Sequence, residues 1–427
     1  MESSIEEVAK IAQEEIDKEN AKDPAIRKVL DIVKRFIETH RVMCYGGTAI
    51  NNLLPPEDQF YNPEIDIPDY DFFSETPQAH AAKLADRIAN AGYASVEVKP
   101  GAHLGTFKVF ADYTGVADIS ALDKPIFEKL WKNSIEKYGI HYVPPNFLRM
   151  SMYLELSRPK GDVSRWKKVY TRLGLLNKHY PVICPKEHQV STEFFISDGT
   201  RRKIENLLIN EHVVLLGFNA SMLQEKKAGR WKLPLDILAT PEKRPDIVAK
   251  FKDFLQEYDR VKIEEHEPYG ELLPAHTDIM DSKTGLNIVR IYETTACHSY
   301  HKTDDGLLIA SIPTILQFFF AVLYAPSHFL DEMPEQEFVC NAQHLVSLAN
   351  DNIARRYKLL TPLTCIGKQE SLIDMRAHKS ELYEKLSKDK SSPAYIKYFF
   401  TYTPTNLDKT QRKEMRKKLN KTLRKIR

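Results

Sequence analysis

Tyr45-Gly46-Gly47-Thr48-Ala49-Ile50-Asn51, followed by Asp69-Tyr70-Asp71-Phe72, is the stretch on which the fold of this chain turns. Side chains on a β-strand alternate between faces, so residues two apart point the same way. A strand over Asp69–Phe73 would aim the carboxylates of Asp69 and Asp71 at one point while Tyr70 and Phe72 pack behind. Arg41 to Tyr45 reads as a short strand, and Thr48 to Leu54 as a short helix that opens at the glycine turn. A helix N-terminus favours anions, and glycine lets backbone N–H groups approach a phosphate. Hard divalent cations take oxygen ligands. The pattern therefore suits a cation held beside a polyphosphate, although an Asp-x-Asp pair alone also fits a solvated turn.

A third acid stands in the apolar strand Val116-Ala117-Asp118-Ile119. Burying such a charge is costly unless it is paired or binds metal. A partly exposed edge strand is the alternative for Asp118. The twenty-one residues between Gly47 and Asp69 contain Pro55, Pro56, Pro63 and Pro68, which predicts an ordered loop. Asp66 falls in that loop, because its spacing to Asp69 does not fit one strand face.

Taken together, these residues resemble the nucleotidyltransferase superfamily, and more closely the viral poly(A) polymerases of large DNA viruses, the giant-virus and poxvirus group. The same resemblance runs through Met150 to Leu176, with Glu155-Leu156-Ser157-Arg158-Pro159, Gly161-Asp162 and Ser164-Arg165-Trp166. It implies addition of AMP from ATP to an RNA 3′ end, with Asp69, Asp71 and Asp118 as ligands of two Mg²⁺ or Mn²⁺ ions. Gly46, Gly47 and Thr48 are the implied phosphate contacts. The superfamily often has a serine in the second glycine slot; Gly47 stands here, so backbone N–H groups or Thr48 must serve. The resemblance also implies a homodimer in giant-virus members, a separate processivity subunit in poxvirus ones, and a place in the virion or the host cytoplasm. In the basic run 158–172, Arg165, Lys168 and Arg172 share one helical face. They are candidates for triphosphate or primer contact, and a solvated basic face is the alternative.

The strand–glycine–helix order occurs twice. In the first pass, helices over Ser3–Lys18 and Asp23–Ile37 lead to the glycine turn. A helix over Ala79–Ala91 and strands near Tyr93–Val98, Thr106–Ala111 and Val116–Ser120 follow. In the second, helix Thr200–Ile209 and strand His212–Leu216 precede Gly217-Phe218-Asn219-Ala220-Ser221. Strand Leu233–Leu238, a helix over 245–258, and strands near 260–265, 277–280 and 286–292 come next. This second stretch echoes Gly46-Gly47-Thr48-Ala49-Ile50, and intervals counted from Gly47 and Gly217 put Asp236 in the slot of Asp69 and Glu293 near that of Asp118. Asp236 has no acid two residues on, and Phe218 blocks close phosphate approach, so the second copy reads as catalytically dead. The expected fold is α+β: duplicated nucleotidyltransferase-like mixed sheets with flanking helices, then a helical C-terminal region. The expected domains are 1–180, 181–305 and 306–427.

Bulk properties bound the rest. The chain has 427 residues, enough for two or three domains, and its 42% apolar and 28% charged residues are ordinary for a globular protein. Five scattered cysteines without a CxxC pair argue against a zinc or disulfide framework and fit a reducing compartment. Met1 to Lys18 lacks the apolar core of a signal peptide. Leu307 to Ala325 carries no charge, but Ser311, Pro313, Thr314 and Gln317 interrupt it, so a buried helix is expected rather than a membrane span. The net charge of +2 hides a C-terminal excess: the last twenty residues hold ten Lys/Arg against Asp408 and Glu414. Met415, Leu419, Leu423 and Ile426 make an apolar seam among them, which suits a docked helix touching RNA backbone, or a solvated tail. Tyr395, Tyr398, Phe399, Phe400 and Tyr402 fit a packed helix face better than a base-stacking platform.

Overall fold

The computed structural model describes residues 2–62, 64–185, 196–226, 229–255, 261–350 and 361–424. Pro63, residue 260, the tail from 425, residues 256–258 of an expected helix and residues 351–360 of the expected helical C-terminal region lie outside them. The chain forms two compact units, Met1–Pro144 with Leu372–Arg427, and Pro145–Ser371.

In the first unit, α1 (Glu2–Lys22) and α2 (Pro24–Glu38) come first. The Asp23 side chain caps α2 by accepting from Ala25 N, and Pro24 fits the first turn, where its missing N–H has no intrahelical partner to lose. Val29, Val33, Phe36 and Ile37 are buried, as their spacing predicts. The seven strands are β1 (Met43–Cys44), β2 (Asp71–Ser74), β3 (Val96–Pro100), β4 (Thr106–Ala111), β5 (Thr114–Ala121), β6 (Ile135–Lys137) and β7 (Ile140–Tyr142). They lie in the order β3-β4-β5-β2-β1-β7-β6. Only β2–β5 and β1–β7 are parallel. The helices α3 (Gly46–Leu53), α4 (Pro77–Asn90) and α5 (Lys124–Lys132) complete this stretch. Alternate strand residues such as Phe72, Phe107 and Ile119 are buried, with α2 and α4 packed on the sheet.

The second unit holds α6 (Pro145–Leu156), α7 (Trp166–His179), α8 (Asp198–Glu211), α9 (Gly217–Gln224), α10 (Arg244–Phe254), α11 (Ile312–Val322), α12 (Ser327–Glu332) and α13 (Glu335–Asn350). Its strands are β8 (Val214–Leu215), β9 (Leu235–Ala239), β10 (Val261–His266), β11 (His276–Asp281), β12 (Asn287–Glu293), β13 (His298–Lys302), β14 (Leu308–Ala310) and β15 (Cys365–Ile366). Their order is β10-β11-β12-β9-β8-β14-β13-β15. The first seven strands in this order repeat the first sheet, including the two parallel pairs, β9–β12 and β8–β14, and β15 adds an eighth beyond β13. The duplication expected from the sequence is therefore present.

Its residue alignment needs correcting. Gly46 and Gly217 both open their helices with left-handed φ, +72° and +68°. Tyr45 N donates to Asp71 O at 3.0 Å, and Leu216 N to Asp236 O at 2.9 Å. Gly217 thus matches Gly46, as the echo of the two stretches predicts, but Asp236 matches Asp71, not Asp69. Asp71 is the register partner of Asp118, while Asp236 is the partner of Arg290. The third-acid position of the second copy is an arginine. Glu293 lies three residues further along and pairs with Arg244 at 2.7 Å.

The unit boundaries also differ from the expected 180 and 305. α6 packs along α11, with Tyr153 stacked on Phe320 and Phe147 edge-on to Tyr324, so the second unit begins at Pro145. The sheet needs β14 to complete it, beyond residue 305. Every residue of α11 is buried, as expected for a core helix, and no helix among the described residues is long and apolar enough to cross a membrane.

The residues from Leu372 return to the first unit. Tyr402 pairs through its backbone with Val98 and donates its hydroxyl to Asp86 at 2.7 Å, while Phe400 meets Phe107 edge-on. The aromatic cluster is packed cover. The helix Lys409–Leu423 is closed by an Asp408–Gln411 capping box; Leu419 and Leu423 are buried and Met415 is exposed, while Ile426 lies outside the described residues.

The cysteine expectation is overturned. Cys184–Cys340 and Cys297–Cys365 form disulfides across 156 and 68 residues, which no local spacing could signal; Cys44 stays free and buried.

Candidate active site

The site is built where β1 ends and α3 begins. Tyr45 is extended, and Gly46 then takes a left-handed φ that a side chain disfavours. A Cβ at Gly46 would lie 3.0 Å from Asp71 Oδ2, so that carboxylate fills the space the glycine leaves. Asp71 and Asp118 are register partners across parallel β2 and β5 and project from one face; their neighbours Phe72 and Ile119 are buried on the other.

Asp69 sits differently from expectation. The strand starts at Asp71, not Asp69, because Asp71 N bonds back to Asp69 O in a tight turn. Asp69 is exposed at the mouth of the strand, and Tyr70 behind it is buried. Thr48 is buried and donates its hydroxyl to Asp69 O at 2.6 Å. It anchors the acid-bearing loop in place of offering that hydroxyl outward. Asp66 is a loop residue as predicted, accepting from Asn62 N. The proline-rich insert is held by Asn51 Oδ1, which accepts from both Phe60 N and Tyr61 N. His103 is a turn residue whose carbonyl accepts from Thr106 N.

The electrostatics show surplus negative charge. Burial, then the nearby Asp69 and Asp118, push the Asp71 carboxyl up to about 7, against the pull of Lys108. Burial also raises Asp118, although its 2.6 Å ion pair with Lys108 opposes the shift. Asp69 and Asp118 both lie close enough to Asp71 to raise its carboxyl, and Asp69 raises Asp118 as well. Asp71 and Asp118 are paired by strand register, and Asp69 flanks them from the loop before β2.

Lys108 was missed in the sequence. The signal was available, since Thr106-Phe107-Lys108-Val109-Phe110 alternates and puts Lys108 opposite Asp118 across β4 and β5. Also missed was a hydroxyl chain beneath the turn: Ser120 Oγ lies 2.8 Å from Tyr45 Oη and 2.9 Å from Thr106 Oγ1. The Tyr45 ring stacks on Phe73 at 3.9 Å. These contacts fix the glycine turn against β5. Arg165 and Lys168 belong to the second unit; Arg165 Nε pairs with Glu155 Oε1 at 2.7 Å, and Lys168 lies on α7.

With this geometry in view, known proteins can be compared. Residues 31–162 match the poly(A) polymerase catalytic subunit family. The matched segment contains the glycine turn and all three acids. A protein of Acanthamoeba polyphaga mimivirus, provisionally named a poly(A) polymerase catalytic subunit, is 29% identical over 179 residues, 40% of this chain and 30% of its own length. A protein of African swine fever virus (isolate Pig/Kenya/KEN-50/1950), provisionally given the same name, is 30% identical over 171 residues, 39% of this chain and 36% of its own. The chain thus matches about a third of the length of these relatives. The fold matches the crystal structure of the Megavirus polyadenylate synthase with a TM-score of 0.78 at 23% identity, over 98% of this chain and 89% of that one. The resemblance to large-virus poly(A) polymerases read from the sequence is borne out, and so is the duplicated α+β fold.

Proposed function

We propose that this chain transfers AMP from ATP to the 3′-hydroxyl of RNA and releases pyrophosphate. The observation that carries the proposal is the register pairing of Asp71 with Asp118 beside left-handed Gly46, inside the segment that matches the polymerase family. The donor set fits a hard divalent ion: it is all oxygen, it holds excess negative charge, and Asp71 occupies a cradle that a Cβ at residue 46 would crowd. Asp69, Asp71 and Asp118 would hold Mg²⁺ or Mn²⁺, which lowers the pKa of an attacking hydroxyl and offsets charge on a leaving pyrophosphate.

The chain's own groups do the rest. Gly46 and Gly47, at the N-terminus of α3, present backbone N–H groups to the triphosphate. Thr48 holds the Asp69 loop at a fixed distance from that turn. Lys108 pairs with Asp118 at 2.6 Å and offsets part of its charge. Arg165, satisfied by Glu155, is given no step, nor is Lys168. Adenine preference, the RNA 3′ end as acceptor, a homodimer, and a place in the virion or host cytoplasm enter the proposal through the family resemblance.

The test is an incorporation assay with each nucleoside triphosphate in turn, on wild type and Asp71→Asn. ATP preference and loss of incorporation in Asp71→Asn are expected. Near-full activity in the variant overturns the site; preference for UTP or CTP overturns the adenylate assignment. Sedimentation of the purified chain tests the homodimer.

A further inference from the structure

We infer that the second unit carries a transition-metal site of the zinc class, formed by His266, His276 and His328. His266 and His276 are register partners at the end of the β10–β11 pair, and His328 comes from α12. One ring nitrogen of each lies within 4.8 Å of the others, the one such group found among the described residues. The rings lie nearly parallel: centroids are 4.5 Å apart for His266–His276, 5.1 Å for His266–His328 and 5.9 Å for His276–His328.

The second observation is what these rings lack. His276 is 3% exposed, yet neither of its ring nitrogens makes a hydrogen bond of full geometry, the Pro274 backbone being a weak partner only, and His266 Nε2 likewise makes none. Buried polar atoms in folded proteins almost always find a partner, and a neutral imidazole offers one donor and one acceptor. A bound cation satisfies the acceptor directly.

The surroundings favour positive charge. His266 Nε2 lies 3.5 Å from Asp278 Oδ2 and 3.9 Å from Glu264 Oε2. Asp278 and Glu332 both pair with Arg290, and Asp236 lies across the same cavity wall. Three imidazoles suit Zn²⁺, or Co²⁺ and Ni²⁺ in its place, far better than Mg²⁺. Tetrahedral zinc, with Zn–N near about 2.0 Å, wants its nitrogens about 3.3 Å apart. Ligation therefore draws the three nitrogens together and turns the rings about Cβ–Cγ so that their lone pairs converge instead of running parallel. Asp278 is committed to Arg290 through two hydrogen bonds of 2.8 and 2.9 Å, which leaves the fourth position to water.

The site's role is structural. It ties the β10–β11 hairpin to α12, the helix that brings Phe329 and Glu332 to the cavity beside Asp236 and Arg290. The copy that has lost its acid set keeps its shape there through a cross-link of another kind.

The test uses the full-length chain, stripped with chelator and then titrated with Zn²⁺ against a chromophoric competitor, alongside His328→Gln, His276→Asn and Asp71→Asn. The expected result is one tight equivalent in wild type and in Asp71→Asn, and affinity at least tenfold weaker in His328→Gln and His276→Asn. Co²⁺ should give the intense visible bands of a four-coordinate nitrogen site. His328→Gln, from a partly exposed position, guards against misfolding of the buried variant, and circular dichroism checks both. Equal zinc affinity in wild type and both histidine variants, or pale six-coordinate Co²⁺ spectra, overturns the proposal and leaves a stack of neutral rings.

Discussion

The two copies contain one ion pair at the same topological place with its charges exchanged, and breaking it should cost far more in the second copy than in the first. Lys108 opposes Asp118 across β4 and β5; Asp278 opposes Arg290 across β11 and β12. The side chains of Arg290 and Asp278 are 4% and 3% exposed, whereas Lys108 and Asp118 are 43% and 22% exposed. Arg290 makes two hydrogen bonds to Asp278, a third to Glu332 at 2.9 Å, and lies 4.4 Å over the Phe329 ring. Arg290→Met keeps volume but strands two acids, and removing one partner of a buried pair costs about 3–5 kcal/mol. Lys108→Met leaves Asp118 near water, and pairs so placed are worth about 1 kcal/mol or less. The assay is urea unfolding followed by tryptophan fluorescence, since Trp231 is fully buried in the second unit, with circular dichroism on the whole chain. The chain has two units, so the reading is the shift of the transition reporting Trp231, not one global free energy. The double variant Arg290→Met with Asp278→Leu should recover much of the loss, because no orphaned charge remains at 278. If Arg290→Met shifts stability by no more than Lys108→Met does, the argument from burial is wrong.

Asp71→Asn and Asp118→Asn should each lower AMP incorporation by about two orders of magnitude or more, with no loss of melting temperature, since each removes a carboxylate from a crowded acidic site. Gly46→Ala should lose about 1–2 kcal/mol from its left-handed φ, and its Cβ, 3.0 Å from Asp71 Oδ2, should displace that carboxylate and lower turnover by about tenfold or more. Asp236 is raised by burial from 3.8 to about 7, so the folded chain keeps a proton that the unfolded chain releases. Its contribution to stability is full below about 3.8 and is lost as pH rises through about 7; the stability difference between wild type and Asp236→Asn should fall across that window in urea titrations at stepped pH. Reversing the exposed Lys413 and Lys417 on the C-terminal helix should weaken RNA binding at low salt and reduce the salt slope by about one per lost phosphate contact; an unchanged slope refutes RNA contact there.

What the sequence yielded depended on how local the signal was. The cap and apolar face of α2, the glycine turn and the repeated strand order are short-range patterns, and all appear in the structure. The alignment of the copies failed by two residues of strand at the acid slot, because matching intervals cannot reveal hydrogen-bond register. Arg290 as the counterpart of Asp118, and Lys108 as its partner, are visible only once strands are paired. The disulfides join residues brought together by tertiary folding alone. Asp69 was placed on the strand by period-two reasoning, but the tight turn after Pro68 holds it just outside.

The clasp between Tyr402 and Asp86 spans 316 residues of chain. A ribosome adding about 5–20 residues per second needs roughly 15–60 s to cover that interval. For that time the nascent head has a raw β3 margin, since the backbone of Val98 waits for a segment still to be made. Premature termination anywhere before the closing strap would therefore release a head with an open flank, inviting chaperone capture or self-association. Translation speed and chaperone supply, as much as the acids of the site, should set how much active protein a cell accumulates.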